Sequence, residues 1–193
     1  MQIFAPKKII TSYGILVCSL AGIFYAYEFL LRVLPGALQN ELMQAWGNIS
    51  AGMFGQISAL YYFAYSPMQL PVGLLTDRYG PRRVLTVACF LCALGSWLFL
   101  QTSHLALVGV GRFLVGLGSS FAFVGLLFLG HHWLPRRYFS LLVGLVTTFA
   151  MLSLIFGVVQ ITALVSQVGL VKILAYLALF GLLLSGVMYS IMR

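Results

Sequence analysis

Charged residues are scarce in this sequence, and acidic residues are the scarcest of them. Only 7% of the 193 residues are charged, with three Asp and Glu against eleven Lys and Arg. A soluble domain carries about a quarter of its residues as charged side chains, because water must solvate its surface. This chain cannot build such a surface, and its 62% of hydrophobic residues indicates a protein that lies in a membrane.

Cysteine and histidine are also rare, with three of each. Cys18, Cys89 and Cys92 all lie inside apolar runs, which excludes a disulfide framework. Cys89 and Cys92 have C-x-x-C spacing, but no second pair of ligands accompanies them. His131 and His132 are adjacent, so their side chains would point about 100° apart on a helix. We therefore expect no metal site and treat the cysteines as packing residues.

Motifs that power or catalyse reactions are missing as well. No G-x-x-x-x-G-K-[ST] loop occurs, so nucleotide-driven pumping has no basis in this chain. An intramembrane serine protease would need a histidine at the depth of an exposed serine, whereas the histidines fall at predicted helix ends. We expect no enzyme, no catalytic residue and no cofactor. A channel or a structural membrane subunit remains as an alternative, and a polar cavity on the first and fourth spans would distinguish a transporter from it.

Long apolar runs are what the sequence does contain. A run of about 18 or more apolar residues can cross the bilayer core as a helix. The first run stops at Pro35-Gly36, and a polar segment over residues 39–50 follows it. The predicted fold class is an all-α membrane protein with a single domain, 1–193, and six spans at about 12–34, 51–75, 84–100, 105–130, 139–164 and 170–192.

Lysine and arginine are distributed unevenly between the two ends of these helices. If the helices alternate in direction, one face carries Lys7, Lys8, Arg78, Arg82, Arg83, Arg136, Arg137 and Arg193, whereas the opposite face carries only Glu41 and Lys172. Cytoplasmic loops carry the excess of basic residues, so we expect both termini in the cytoplasm. The expected location is the cytoplasmic (inner) membrane of a bacterium. Because the basic clusters separate apolar runs, they indicate topology and argue against a nucleic-acid partner.

The most informative stretch joins the second and third predicted spans, with Gly73, Asp77, Arg78, Gly80, Arg82 and Arg83 at fixed spacing. Gly73 is expected to let helices approach closely, and Gly80 to supply the backbone angles of a tight turn. Asp77 is the only acidic residue on the basic face. A carboxylate beside an arginine or a helix N-terminus makes charge-assisted bonds, so we expect Asp77 to lock two helices together across this turn.

This stretch resembles the G-x-x-x-D-R-x-G-x-R-R loop of the major facilitator superfamily. Two further segments are similar to that family: Arg112-Phe-Leu-Val-Gly116-Leu-Gly118 in the fourth span, and Trp133-Leu-Pro135 with Arg136 and Arg137 after it. The resemblance implies that the loop latches the two halves of a transporter in an outward-open state. Gly111, Gly118 and Gly125 recur every seven residues, which predicts a smooth face for close helix packing.

The resemblance covers the whole chain but only the amino-terminal six-helix half of a usual twelve-helix member. A second half is therefore expected as a separate chain, a missing segment or a second copy, and parallel repeats make self-association geometrically possible. The glycine-proline signature of the family's drug antiporters is absent between Leu141 and Gln160. A drug or other solute exporter, and a non-transporting subunit or truncated remnant, remain as alternatives.

Three charged residues lie well inside predicted spans, namely Glu28, Arg32 and Arg112. Charge at this depth is costly and is functional by default. Glu28 and Arg32 are four residues apart and share a helix face, and Arg112 falls at a matching depth on its own span. One acid and two arginines cannot all pair, so we expect Glu28 within reach of one arginine while the other faces an aqueous cavity. A structural ion pair that holds helices together is the alternative.

The resemblance implies that the first and fourth spans line the central cavity of a secondary active transporter. The substrate or proton site is then predicted to contain Glu28, Arg32, Arg112, Tyr25 and Gln56. The two arginines favour an organic or phosphorylated anion as solute, and the titratable Glu28 favours proton symport by alternating access. A neutral or cationic solute is the alternative. The expected partners are membrane lipid, the small-molecule substrate, protons and the second half.

Overall fold

The computed structural model describes residues 12–100 and 104–192, and every structural statement below refers to them. Lys7, Lys8 and Arg193, which contribute to the predicted topology, lie outside the described residues. Within the described ranges the chain forms helices and no strand: α1 (Ser12–Ala37), α2 (Gln39–Ala45), α3 (Ala51–Met68), α4 (Val72–Tyr79), α5 (Pro81–Leu98), α6 (Leu105–Trp133), α7 (Arg136–Val168) and α8 (Leu170–Ile191). This confirms the all-α class.

Five of these helices are long and apolar enough to cross a membrane: α1, α5, α6, α7 and α8. The predicted second span, 51–75, is divided in the structure into α3 and α4. Pro67 lies in the last turn of α3 and Pro71 is the N-cap of α4. Because proline has no backbone N–H, two prolines four residues apart interrupt the helical hydrogen bonds there. The expectation of one continuous helix was wrong at this point.

The first helix also differs from the prediction, because α1 continues through Pro35 to Ala37. The polar segment that follows contains the short helix α2. A proline inside a helix leaves the carbonyl four residues earlier without its usual donor. In α1 that carbonyl belongs to Leu31, and its replacement partner is part of the candidate site.

The core of the bundle is the packing of α5 against α6, and glycines allow it. A Cβ added at Gly111 would lie 2.6 Å from the carbonyl oxygen of Gly95, and one added at Gly125 would lie 2.5 Å from Leu85 Cδ2. A Cβ at Gly118 would overlap the carbonyl oxygen of Ala88. The seven-residue repeat of glycine therefore forms the predicted close-packing face.

A methyl group at this interface is expected to destabilise the protein. In Gly95→Ala the new Cβ would lie 2.5 Å from the Gly111 carbonyl oxygen and 3.0 Å from the Val115 nitrogen, and backbone atoms cannot move aside as a side chain can. We expect a loss of about 1–3 kcal/mol, the typical cost of overpacking, measured by titration of the purified protein with a denaturing detergent. Gly186→Ala on α8 is the control, because nothing lies within 4 Å of its Cβ. Equal stability of the two variants would contradict this packing.

Long-range contacts bring the basic turns together at one end of the bundle. The Tyr13 hydroxyl at the start of α1 donates to the Ile191 carbonyl at the end of α8, at 2.9 Å. Arg82 at the start of α5 donates to the Tyr189 carbonyl, at 2.7 Å. The ring centres of Tyr13 and Trp133 lie 5.1 Å apart, so the end of α6 also lies at this end of the bundle. At the opposite end, Trp46 packs against the rings of Phe54 and Phe99.

Candidate functional site

An ion pair on α1 forms the centre of the candidate site. Arg32 Nη2 donates to both carboxylate oxygens of Glu28, at 3.2 Å each. The spacing of one helical turn places the two side chains on one face. Glu28 is fully buried, whereas the side chain of Arg32 remains 21% exposed. It is the only ion pair within the described residues, and its cation is the accessible member.

Aromatic side chains surround the Arg32 guanidinium. Its Nε donates to the Tyr61 hydroxyl at 2.8 Å. Its Cζ lies 4.7 Å from the ring centre of Tyr65 and 5.2 Å from that of Phe29. Arginine has five N–H donors, and within the described residues the two on Nη1 have no partner. Arg32 is thus held rigidly by Glu28 and the aromatic rings while one edge of its guanidinium remains available.

Arg112 on α6 binds the backbone of α1 beside the proline. Its Nη1 donates to the Leu31 carbonyl at 2.9 Å, and its Nη2 donates to the Arg32 carbonyl at 2.8 Å. Leu31 is the residue whose carbonyl loses its helical donor because residue 35 is proline. Arg112 supplies the missing donor through Nη1, so the carbonyl released by the proline is satisfied, whereas Arg112 Nε has no partner among the described residues. This bond fixes the register between α1 and α6.

Gly116 explains how α3 joins this arrangement. A Cβ at Gly116 would overlap the Tyr61 carbonyl oxygen and lie 3.0 Å from Tyr61 Cα, so only glycine allows the two backbones this approach. Arg112 lies one turn before Gly116 on the same face of α6, and its Cζ lies 4.7 Å from the centre of the Tyr61 ring. The R-x-x-x-G spacing thus places the face of the Tyr61 ring against the buried Arg112 guanidinium, which is a favourable cation–π interaction.

The expectation that an unpaired arginine faces an aqueous cavity is wrong for Arg112. Its side chain is buried, with 4% of the residue exposed, and the cavity that it lines with Pro35 and Ser96 has a volume of about 20 Å³. That space is sufficient for about one water molecule. The physical reason is that backbone carbonyls and an aromatic ring accept the guanidinium in place of a carboxylate. The arginine whose side chain remains partly exposed is Arg32, the paired one.

The other two predicted site residues differ in their positions. Tyr25 is buried, and its ring packs against Phe29 at 6.0 Å and Phe123 at 5.3 Å. It therefore forms part of the aromatic wall beside Arg32. Gln56 on α3 is exposed, and no contact among the described residues joins it to the charged cluster. The structure does not bring Gln56 to this site.

Two members of the predicted latch loop differ from expectation. Gly73 has nothing within 4 Å of a built Cβ, so no helix of the described residues approaches it closely. Gly80 has φ +81°, the left-handed conformation that favours glycine, as predicted for a tight turn. Asp77 is exposed and makes no ion pair or hydrogen bond with the described part of the chain. The expected pairing of Asp77 is therefore not seen among the described residues and stays a prediction.

The loop arginines have different roles. Arg82 ties α5 to α8, since its Cζ also lies 4.9 Å from the ring centre of Tyr189. It satisfies a carbonyl in the last turn of α8, where helical donors run out. Arg78 packs over the Tyr79 ring at 5.5 Å. Arg83 is exposed and has no hydrogen-bond or charged partner within residues 12–100 and 104–192.

The family model of the Major Facilitator Superfamily matches residues 9–193, which is nearly the whole chain. The chain belongs to the Major Facilitator Superfamily. This confirms the family resemblance suggested by the loop motif and the fourth-helix motif.

Two curated transporters are similar to part of the chain. A probable sulfoacetate transporter of Cupriavidus necator, SauU, is 22% identical over 137 residues, which are 71% of this chain and 31% of that protein. An uncharacterized transporter of Bacillus subtilis, YybO, is 29% identical over 136 residues, which are 70% of this chain and 30% of that protein. The matched part of the chain spans about a third of the length of these relatives.

Tyr61 and Tyr65 are the site residues that sequence reasoning missed. Tyr61 contacts both arginines, Arg32 through its hydroxyl and Arg112 through its ring, and Tyr65 packs against the Arg32 guanidinium. The signal that could have found Tyr61 is Gly116, because a glycine one turn from a buried arginine marks a close helix crossing. The partner helix at that crossing could not be named from spacing alone.

Proposed function

We propose that this chain is the solute-binding half of a secondary active transporter that moves a small organic or phosphorylated anion across the membrane by alternating access. The observation that carries the proposal is Arg32, a cation held at the depth of the buried Glu28 but still 21% exposed on its side chain. One carboxylate against two guanidiniums leaves one net positive charge in the cluster. An intramembrane charge that is held rigid and accessible suits a solute of opposite sign.

The free edge of Arg32 determines which solutes it can bind. A guanidinium recognises carboxylate, sulfonate or phosphate oxygens through parallel N–H bonds. Arg112 cannot do so, because the Leu31 and Arg32 carbonyls occupy it. The aromatic wall of Phe29, Tyr65 and Tyr25 would contact the apolar part of a small solute. Sulfoacetate is the first solute to test, since one relative is named a probable sulfoacetate transporter.

Glu28 supports a proton-coupled mechanism. Its carboxylate accepts both bonds from Arg32 Nη2, so it competes with a solute for the same cation. A proton on Glu28 would neutralise the carboxylate and release Arg32 to an anion. Loss of the proton would restore the ion pair and expel the anion. On this proposal one proton and one negative charge travel together, as in symport.

Uptake measurements test this proposal directly. In proteoliposomes that carry the chain, with a second half supplied where one is encoded, we expect sulfoacetate uptake driven by an inward proton gradient. Arg32→Gln should abolish uptake, because the cation that receives the anion is gone. Arg137→Gln is the control, since it removes one positive charge from an exposed turn outside the site. Retained uptake in Arg32→Gln would refute the proposal. In the same assay Asp77→Asn should lower uptake without lowering insertion if Asp77 latches onto the second half.

The second half is proposed from the surface of α7. This helix has 33 residues, and Ala150 is the only buried one among its described side chains. Its exposed face includes the polar residues Thr148 and Gln160, which suit a shared aqueous pathway better than lipid. The exposed Asp77 at the basic end is available to the same partner. Whether the partner is a separate chain, a further segment or a second copy stays open.

The orientation that we propose is six crossings, with α3 and α4 together forming the second and the basic end in the cytoplasm. Single cysteines test it, because Cys18, Cys89 and Cys92 are all buried. In intact cells an impermeant thiol reagent should label Gln44→Cys on α2 and leave Arg137→Cys on the basic end unlabelled. Permeabilised cells should label both. Labelling of Arg137→Cys in intact cells would contradict the proposed orientation and indicate the opposite one.

A further inference from the structure

A groove on the outer surface of the bundle, at its basic end, lies between α4, α5 and α6. Its volume is about 280 Å³. Its walls are apolar, with Leu75 from α4, Val84 and Val87 from α5, and Phe121 from α6. Tyr79 and Arg83 complete the groove at its mouth, where α4 ends and α5 begins. The groove is therefore apolar, and Tyr79 and Arg83 stand at the end of it where α4 gives way to α5.

The mouth of the groove carries a cation without a partner. Arg82 is bound to the Tyr189 carbonyl and Arg78 packs over the Tyr79 ring. Arg83 is exposed and has no hydrogen-bond or charged partner among the described residues. Tyr79 is 50% exposed beside it. A tyrosine and an arginine at the end of a membrane helix lie where lipid headgroups lie.

We propose that this groove binds one phospholipid with an anionic headgroup, with an acyl chain between α4 and α5 and the headgroup phosphate on Arg83. The apolar walls contribute no net hydrophobic free energy of binding, because the lipid tail leaves a bilayer that is equally apolar. They contribute only a surface against which the tail can pack. Selectivity therefore comes from Arg83, through a charge-assisted bond to phosphate oxygens. Basic pockets between membrane helices on the cytoplasmic side bind acidic headgroups in this way.

The occupant is a lipid rather than a helix of the second half on grounds of charge and shape. A helix packed here would have to place a carboxylate opposite Arg83 and cover a narrow groove with side chains. An acyl chain can lie against the apolar walls without a rearrangement of side chains, and the acidic headgroup is already supplied by the surrounding leaflet. This inference does not depend on the solute that the protein transports.

Thermal-shift and native mass-spectrometry measurements on the purified chain test the site. Phosphatidylglycerol is expected to bind and stabilise the wild type, whereas phosphatidylcholine with the same acyl chains is not. Arg83→Gln should weaken phosphatidylglycerol binding about tenfold, the effect of one lost charge-assisted bond. Val87→Trp, at a residue 56% exposed, should block the groove without changing charge and weaken binding as well. Arg137→Gln is the control and should leave binding unchanged.

Four results would overturn the proposal. Equal losses in Arg83→Gln and Arg137→Gln would show general attraction to a basic surface. Undiminished binding in Val87→Trp would show that no acyl chain enters the groove. Equal stabilisation by glycerol phosphate and by phosphatidylglycerol would show that the ligand is a free phosphate. Loss of the lipid on co-expression with a second half would assign the groove to the interface between halves.

Discussion

Replacing Arg112 by methionine is expected to destabilise the protein by about 1–3 kcal/mol, because the Leu31 carbonyl is left buried without a donor. Methionine keeps the length and apolar stem of the side chain and removes its donors. The effect depends on residue 35, since a proline there denies Leu31 its helical partner. Arg112→Lys should recover only part of the loss, because an ammonium cannot span the Leu31 and Arg32 carbonyls as a planar fork does.

A double-mutant cycle with Pro35→Ala tests whether the cost of losing Arg112 depends on the proline. Alanine at position 35 restores an N–H that can pair with the Leu31 carbonyl, so Arg112→Met should cost much less in that background. The expected coupling is about 1–3 kcal/mol, read from detergent-denaturation curves of the four proteins. Additive effects would show that Arg112 does not compensate for the proline. A Pro67→Ala background serves as control, since Pro67 lies in α3 and outside this contact.

Removing Arg32 is expected to cost more stability than removing Glu28. Arg32→Gln leaves a fully buried carboxylate without its cation, a change that typically costs about 3–5 kcal/mol. Glu28→Gln leaves a guanidinium that is partly exposed and still contacts Tyr61 and Tyr65, so its cost should be smaller. The double variant Glu28→Gln/Arg32→Gln should be more stable than Arg32→Gln alone. Unfolding curves of the three variants measure the order, and the reverse order would contradict the burial of Glu28.

The separation of Glu28 and Arg32 by four residues was sufficient to predict that they share a helix face. The position of Arg112 along its own span was sufficient to predict that it lies at the same depth in the membrane. The partner of Arg112 was not predictable in the same way. It depends on the register between α1 and α6, which is set by distant packing at glycines such as Gly116. A pattern of charges suggests carboxylate partners, whereas here a backbone carbonyl released by Pro35 is the acceptor.

The interruption of the second predicted span had a signal in the sequence. Pro67 and Pro71 lie four residues apart, and each removes a helical donor, so a continuous helix over 51–75 was unfavourable. The predicted span rested on the apolarity of that stretch and took no account of the two prolines. Asp77 shows a different limit. Its motif predicts a partner, and within residues 12–100 and 104–192 none is present.

The central claim is that Arg32 receives an anion in competition with Glu28, and equilibrium binding tests it most directly. Calorimetric titration of the purified chain with sulfoacetate should show binding in the wild type. Glu28→Gln should bind the anion more tightly, because its neutral amide no longer neutralises the guanidinium. The double variant Glu28→Gln/Arg32→Gln should not bind sulfoacetate. Both members of the ion pair are replaced together in this variant, so we expect it to fold. Binding of undiminished affinity in that double variant, or weaker binding in Glu28→Gln than in the wild type, would contradict the account.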